Sequence, residues 1–282
     1  MEYLMTYGWA ILIIAIVMVA LFQLGVFNGT FFAPHATAGA CEVYRSVEGT
    51  NLVGQCQGEL PQFVATFAGS NSYITGSGSA LELQQQSIIA WVYPTTINTC
   101  DEILSTNPFG VNSGFEFKID TSNEQSGFEY GSSAGYQTNT WINTNYPLNT
   151  WTFVAITFNA GVINWQINNK MLSPITNVNA AISYTQNGFA MGSLLNGNNC
   201  GIGASLFGGS IANVQIYNTS LSANEVSALY AEGIGGAPID PTHIVGWWPL
   251  NGNAQDYSGN NNNGVPTAMN YTSAWASGYM RP

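Results

Sequence analysis

The stretch "FGGSIANVQIYNTSLSANEVSALYAEG" (207–233) decides the fold. Its first part, "SIANVQIY" (210–217), sets Ile, Val and Tyr among small and amide residues and reads as a strand. A turn beginning at Asn218 follows. Then "SANEVSALYAEG" (222–233) reads as a short helix. Ser222 can cap its start, Glu225 stands at the reciprocal capping-box position, and Gly233 can stop it. Further strand-like runs lie upstream: "FVATF" (63–67), "SIIAWVYP" (87–94), "GFEFKID" (114–120), "WTFVAITF" (151–158) and "VINWQIN" (162–168). Several alternate apolar and polar residues, and Asn, Gly and Ser clusters separate them. The sum predicts an antiparallel β-sandwich with one short helix.

Composition narrows the function. Only 7% of the 282 residues are charged, against about a quarter in an average domain. The balance is acidic, with 15 Asp plus Glu against 4 Lys plus Arg. The four cations, Arg45, Lys118, Lys170 and Arg281, are scattered, so no basic patch exists to hold nucleic acid. Polarity comes from Asn, Gln, Ser, Thr and Gly. With 46% hydrophobic and 13% aromatic residues the chain can still build a core. So few titrating groups predict a stability that changes little between mildly acid and neutral pH.

The chain begins "MEYLMTYGWAILIIAIVMVALFQLGVF" (1–27), and after Glu2 no charge appears until Glu42. As a helix, residues 3–27 would span about 37 Å, enough for a hydrocarbon core. A plain membrane anchor gains nothing from an acid at its tip. The stretch resembles the N-terminal helix of archaeal type IV pilins, the class III signal-peptide group. That resemblance implies a helix held in the membrane before assembly and packed against identical subunits in a helical filament afterwards. Glu2 matches the family's acid, and Glu2, Tyr3, Tyr7 and Trp9 become the assembly residues. The family places its acid fifth and precedes it with a short basic leader, so the expectation is a processed chain. Head-to-tail packing that closes no ring gives a filament, and Glu2 can pair there with a neighbour's N-terminal amine. A linker, 28–40, joins this helix to a head, 41–282. The expected fold is therefore a long N-terminal hydrophobic α-helix followed by an all-β antiparallel jelly-roll sandwich with one short helix.

The head resembles the laminin G-like, concanavalin A-like jelly roll. The stretches that carry this are "FAGSNSYITGSGSALELQQQSIIAWVYP" (67–94), "NTWTFVAITFNAGVINWQINNK" (149–170) and the opening stretch, most of 63–233. A further match, "VGWWPLNGNAQDYSGNNNNG" (245–264), follows the closing helix, whereas in the family it opens the domain. Residues 244–282 are expected to complete the sandwich, in cis as a circular permutation first and by exchange with a neighbour second.

Little points to catalysis. The E-x-D-x-x-E pattern of concanavalin A-like glucanases is absent, as are G-x-S-x-G, H-E-x-x-H and a P-loop. Glu116 and Asp120 share a strand face with Lys118 between them and read as a surface charge cluster. An enzyme is not expected. The resulting function is a structural pilin subunit active in adhesion on an extracellular filament. The alternative is a monomeric, membrane-anchored, lectin-like adhesin binding carbohydrate. Trp91, Trp151, Trp165, Trp247 and Trp248 are expected in the core, and Trp141 and Trp275 at the surface.

Four cysteines form no C-x-x-C pair, and neither His35 nor His243 adjoins a cysteine cluster, so zinc is not expected. In an exported chain two disulfides are expected, Cys41–Cys56 and Cys100–Cys200, out of three connectivities. No cofactor is expected to be required. Calcium at Asp256 and Asn260 is a candidate, set against a simple Asn-Gly turn. N-glycans at the sequons Asn28, Asn218 and Asn270 are another.

Overall fold

The computed structural model describes residues 13–14, 17–18, 43–45, 52–54, 60–108, 110–138, 140–195, 206–280 and 282. The chain divides into two compact units, Met1–Ala36 and Thr37–Pro282. In the first, Ile13, Ile14, Val17 and Met18 are helical and exposed. Glu2, Tyr3, Tyr7, Trp9 and Asn28 lie outside the described residues. Among the described residues no helix is long and apolar enough to cross a membrane. In the second unit, β1 (Val43–Arg45) and β2 (Leu52–Gly54) pair as an antiparallel ribbon.

The remaining strands form two antiparallel sheets. The first runs β13 (Lys170–Met171), β12 (Val162–Ile167), β11 (Thr152–Asn159), β5 (Gln86–Pro94), β15 (Gly208–Tyr217), β3 (Val64–Ala68) and β18 (Asn270–Thr272). Strand β16 (Ile244–Trp248) pairs with β15 beyond the end of β3. The second runs β10 (Trp141–Asn143), β8 (Gln125–Ser132), β7 (Phe115–Asp120), β6 (Asp101–Ser105), β14 (Phe189–Met191), β4 (Tyr73–Gly76) and β17 (Val265–Thr267), with β9 (Gly135–Gln137) on β8. The helix α1 (Ala223–Glu232) begins with the expected capping box. Glu225 N donates to Ser222 Oγ, and Ser222 N donates to Glu225 Oε2 at 2.7 Å. Gly233 closes it with φ 82°, a left-handed value that glycine adopts without strain.

Alternation along the strands sorts the core. Ile88, Ala90 and Val92 of β5, with Val154, Ile156 and Phe158 of β11, meet Phe115, Phe117 and Ile119 of β7 between the sheets. Their neighbours Ile89, Trp91, Phe153 and Ala155 face the other way. There they pack with Val226 and Leu229 of α1 and with Trp247. The first sheet is thus buried on both faces, which is why "SIIAWVYP" runs apolar without a break. The second sheet is apolar on its inner face, and α1 leaves its outer face uncovered.

The C-terminal segment contributes strands to both sheets of its own chain: β16 pairs with β15, β17 with β4 and β18 with β3. Trp248 is fully buried, its ring centroid 4.8 Å from that of Phe189, and its Nε1 donates to Asn262 O at 2.8 Å. Trp91, Trp151, Trp165 and Trp247 are buried as expected. Trp275 departs from the expectation of a surface position. It is buried against the rings of Trp151 and Tyr279, and its Nε1 donates to Pro61 O. Its polar sequence neighbours concealed a docking residue. Truncation of Trp248 to alanine should cost about 3–5 kcal/mol, the usual range for a buried large aromatic. The measurement is the shift in denaturant midpoint at unchanged slope.

Candidate functional site

On β7 the inward residues Phe115, Phe117 and Ile119 alternate with Glu116, Lys118 and Asp120, which therefore point to the outer face of the second sheet. Register sets Glu102 of β6 beside Lys118, and Glu129 of β8 beside Glu116. Lys118 Nζ lies 2.6 Å from Glu129 Oε2 and 3.8 Å from Glu102 Oε1, and it also contacts Glu116 Oε2. Tyr136 of β9 and Asn107 both donate to Glu116 Oε1. Trp141 of β10 donates from Nε1 to Glu129 Oε1 at 2.8 Å, and its ring centroid is 5.4 Å from Lys118 Nζ. The indole lies against Gly127, where any Cβ would come within 2.8 Å of the ring.

Two expectations are corrected here. Glu116, Lys118 and Asp120 are not a surface cluster, because all three are buried. Nor does Asp120 share the ion-pair group. Its carboxylate instead organises the β7–β8 turn, accepting from the backbone N–H of Ser122 and Asn123 and from both side chains. Trp141 is partly exposed, in line with expectation.

Burial and charge divide the carboxyls. Burial raises Glu102 well above the usual carboxylate range, and the Glu116 charge adds to this. Glu116 is opposed by burial too, yet the Lys118 charge and donors from Lys118, Tyr136 and Asn107 hold it below its ordinary value. Burial alone would lower Lys118, but Glu102, Glu116 and Glu129 together hold it above its ordinary value. Near this group, burial pushes Asp101 up to about 7 despite donors from Asn98, Gly208 and Thr121.

Beyond the C-terminal end of β10 lies an open cleft of about 620 Å³. Asn123 and Glu124 of the β7–β8 turn, Asn143 to Asn145, and Asn168 to Lys170 of the β12–β13 turn form its walls. Ile167 and Leu172 supply its apolar surface. Each wall is anchored: Thr144 N donates to Glu124 O at 2.6 Å, and Phe153 N of β11 donates to Asn168 Oδ1 at 2.9 Å. Glu124 and Asn168 hold left-handed backbones, φ 55° and 50°, the kind of strain that an over-determined local structure sustains.

The other sequence-marked residues lie elsewhere. Asp256 Oδ1 accepts from Trp247 N and Ser258 N, and Oδ2 accepts from Asn262 N. Asn260 Nδ2 donates to the carbonyls of Ile244 and Val245. Both residues thus organise the turn after β16. Asn218 and Asn270 are exposed. Cys100 is disulfide-bonded, while Cys41, Cys56 and Cys200 lie outside the described residues.

The raised carboxyls argue against a flat pH response. A folded-state pKa above the unfolded value adds stability that is fully present below the unfolded pKa and lost as pH rises through the folded one. For Asp101 that window runs from 3.8 to about 7, and Glu102 acts in the same direction. Glu116, lowered, acts oppositely, and its contribution is lost only as pH falls below the ordinary Glu range. The melting temperature should therefore rise between pH 8 and pH 5. Lys118→Met should cost about 3–5 kcal/mol at neutral pH, as for other broken buried pairs, and less at pH 5. Chemical denaturation at both pH values reads both effects.

A family model described as the concanavalin A-like lectin/glucanases superfamily matches residues 68–227. Among solved structures, a putative carbohydrate binding protein from Bacteroides ovatus is similar, with TM-score 0.53 and 14% identity, covering 84% of this chain and 70% of that one. A heptameric SAP-like pentraxin from Limulus polyphemus has TM-score 0.50 and 12% identity, covering 74% of this chain and 94% of that one. The CBM40 of a Ruminococcus gnavus IT-sialidase has TM-score 0.50 and 17% identity, covering 60% and 96%. No curated protein matches by sequence. Identities this low show a shared fold, while the family model spans more than half of the residues and takes in both sheets and the start of α1. The chain belongs to the concanavalin A-like lectin/glucanase superfamily.

Proposed function

We propose that the head is a lectin-like, carbohydrate-binding domain displayed as an adhesin on the cell surface. The observation that carries this is the strand β10. Trp141 presents a partly exposed indole fixed by Glu129, and Asn143, two residues or roughly 6–7 Å along the strand, opens the amide-lined cleft. An aromatic surface beside convergent amides and little charge suits a sugar, which offers apolar C–H faces and hydroxyls together. The superfamily, and the similar structure named as a putative carbohydrate binding protein, support the reading. The buried glutamates are engaged with Lys118, Tyr136, Asn107 and Trp141, which favours binding over hydrolysis. N-glycans at the exposed Asn218 and Asn270 belong to the same cell-surface reading, and calcium is not needed for it. On a glycan array, the full chain should bind, and Trp141→Ala should bind at least about tenfold more weakly while still folded, with a melting temperature lowered by the loss of the donor to Glu129. An array without any positive would remove the reading.

A second reading concerns the first unit, and one observation favours it: the pilin-like stretch "MEYLMTYGWAILIIAIVMVALFQLGVF". In this reading the segment inserts in the membrane and then packs with identical subunits, so that the lectin-like head coats a filament. Residues 244–282 then close each head in cis. Negative-stain microscopy of surface material should show filaments containing this chain, and Glu2→Ala should abolish them while the head still folds. Piliated cells whose filaments lack the chain would leave the monomeric adhesin.

A further inference from the structure

We propose that the cleft beside β10 selects 2-acetamido sugars, the N-acetylated hexosamines; this inference rests on the carbohydrate reading above and names its ligand class. Three amides of the cleft are already engaged at one end. Asn123 donates from Nδ2 to Asp120 Oδ2 at 2.7 Å, which leaves its carbonyl oxygen as an acceptor. Asn143 Oδ1 accepts from Gln125 Nε2 at 3.1 Å, which leaves its NH2 as a donor. Asn168 Oδ1 accepts from Phe153 N, which leaves a second NH2. Each of these three lining amides therefore has one end fixed and the other end open for a ligand. Asn145 and Asn169 are exposed at the mouth and offer donors and acceptors alike.

An acetamido group carries one N–H donor, one carbonyl acceptor and one methyl. The free carbonyl of Asn123 answers the first, and the free NH2 groups of Asn143 and Asn168 answer the second. Ile167 and Leu172 give the methyl an apolar seat. A sugar with a plain 2-hydroxyl leaves that seat unfilled. A carboxylated sugar could use Lys170, but Glu124 lines the same cleft and opposes a second negative charge. The volume, about 620 Å³, falls within the range of small-ligand sites. The bonds that anchor each wall hold these amides in place before any ligand arrives, which limits the entropy lost on binding.

The test compares two disaccharides that differ only at position 2 of each ring. Titration calorimetry on the full chain in detergent would use N,N′-diacetylchitobiose and cellobiose, with glucuronic acid as the acidic probe. The acetylated sugar should bind at least about tenfold more tightly than cellobiose. Leu172→Ser should erase most of that preference. Asn169→Ala, at an exposed turn position that leaves folding intact, should weaken the acetylated sugar several-fold. Equal affinity for the two disaccharides, tighter binding of glucuronic acid, or an Asn169→Ala variant as tight as the parent would overturn the selectivity while leaving the carbohydrate reading standing. Failure of every glycan on the array would instead remove the parent reading, and this inference with it.

Discussion

Double burial of the first sheet is the constraint on which the other features depend. Strands β5, β11 and β15 carry apolar side chains on both faces, so each face needs a cover. The second sheet covers one. The helix α1 and the segment around Trp247 and Trp275 cover the other. Because that second cover lies outside the first sheet, the outer face of the second sheet receives none of it. The Lys118 group lies on that outer face and the cleft at a rim, while the covered face of the first sheet holds the smaller neutral group of Asn213, Gln215 and Trp247.

The Lys118 group shows how a chain with so few charges uses them. Among the described residues six charged side chains, Asp101, Glu102, Glu116, Lys118, Asp120 and Glu129, are buried. An ion pair in low dielectric gains little net stability over an apolar replacement, yet it makes removal of either partner expensive. What the group supplies is position. Lys118 draws three carboxylates from three adjacent strands to one point, and Glu129 then fixes the indole of Trp141. Gly127 completes the arrangement by letting the ring lie against the sheet. The partly exposed tryptophan of this face is thereby held by groups that are themselves buried.

Much of the fold was legible because it follows from local signals. The capping box at Ser222 and Glu225, the stop at Gly233 and the long apolar strands all have local physical causes. Strands β6, β8, β9 and β10 were not read, since "DEILS", "QSGFEYGS", "GYQ" and "WIN" mix charge, glycine and brevity. The site was harder for the same reason. Burial of Glu116 and Lys118 depends on residues of other elements, such as Asn107, Tyr136 and Trp141, and no local pattern reports it. One signal was present: Glu116 and Glu129 stand at equal distances from the Thr121–Glu124 turn, so a hairpin there had to bring them opposite each other. The docking of Trp275 was illegible, because it depends on Pro61 and Trp151, both far away in the chain.

The composition then acquires a functional sense. Among the described residues six of the few charged side chains are buried, and much of the outer polarity consists of amides. An amide offers one donor end and one acceptor end without a charge, so its bonding does not depend on pH and is little screened by salt. A charged cleft would bind counter-ions and lose affinity as ionic strength rises. With one residue of each sign, Glu124 and Lys170, among five asparagines, this cleft is balanced in charge and suits neutral groups that are themselves both donors and acceptors. Asp101, raised by burial, accepts from Thr121, which opens the same turn that carries Asn123 and Glu124 to the cleft. The pH response expected of folding and the proposed binding at the cleft therefore share the β7–β8 turn.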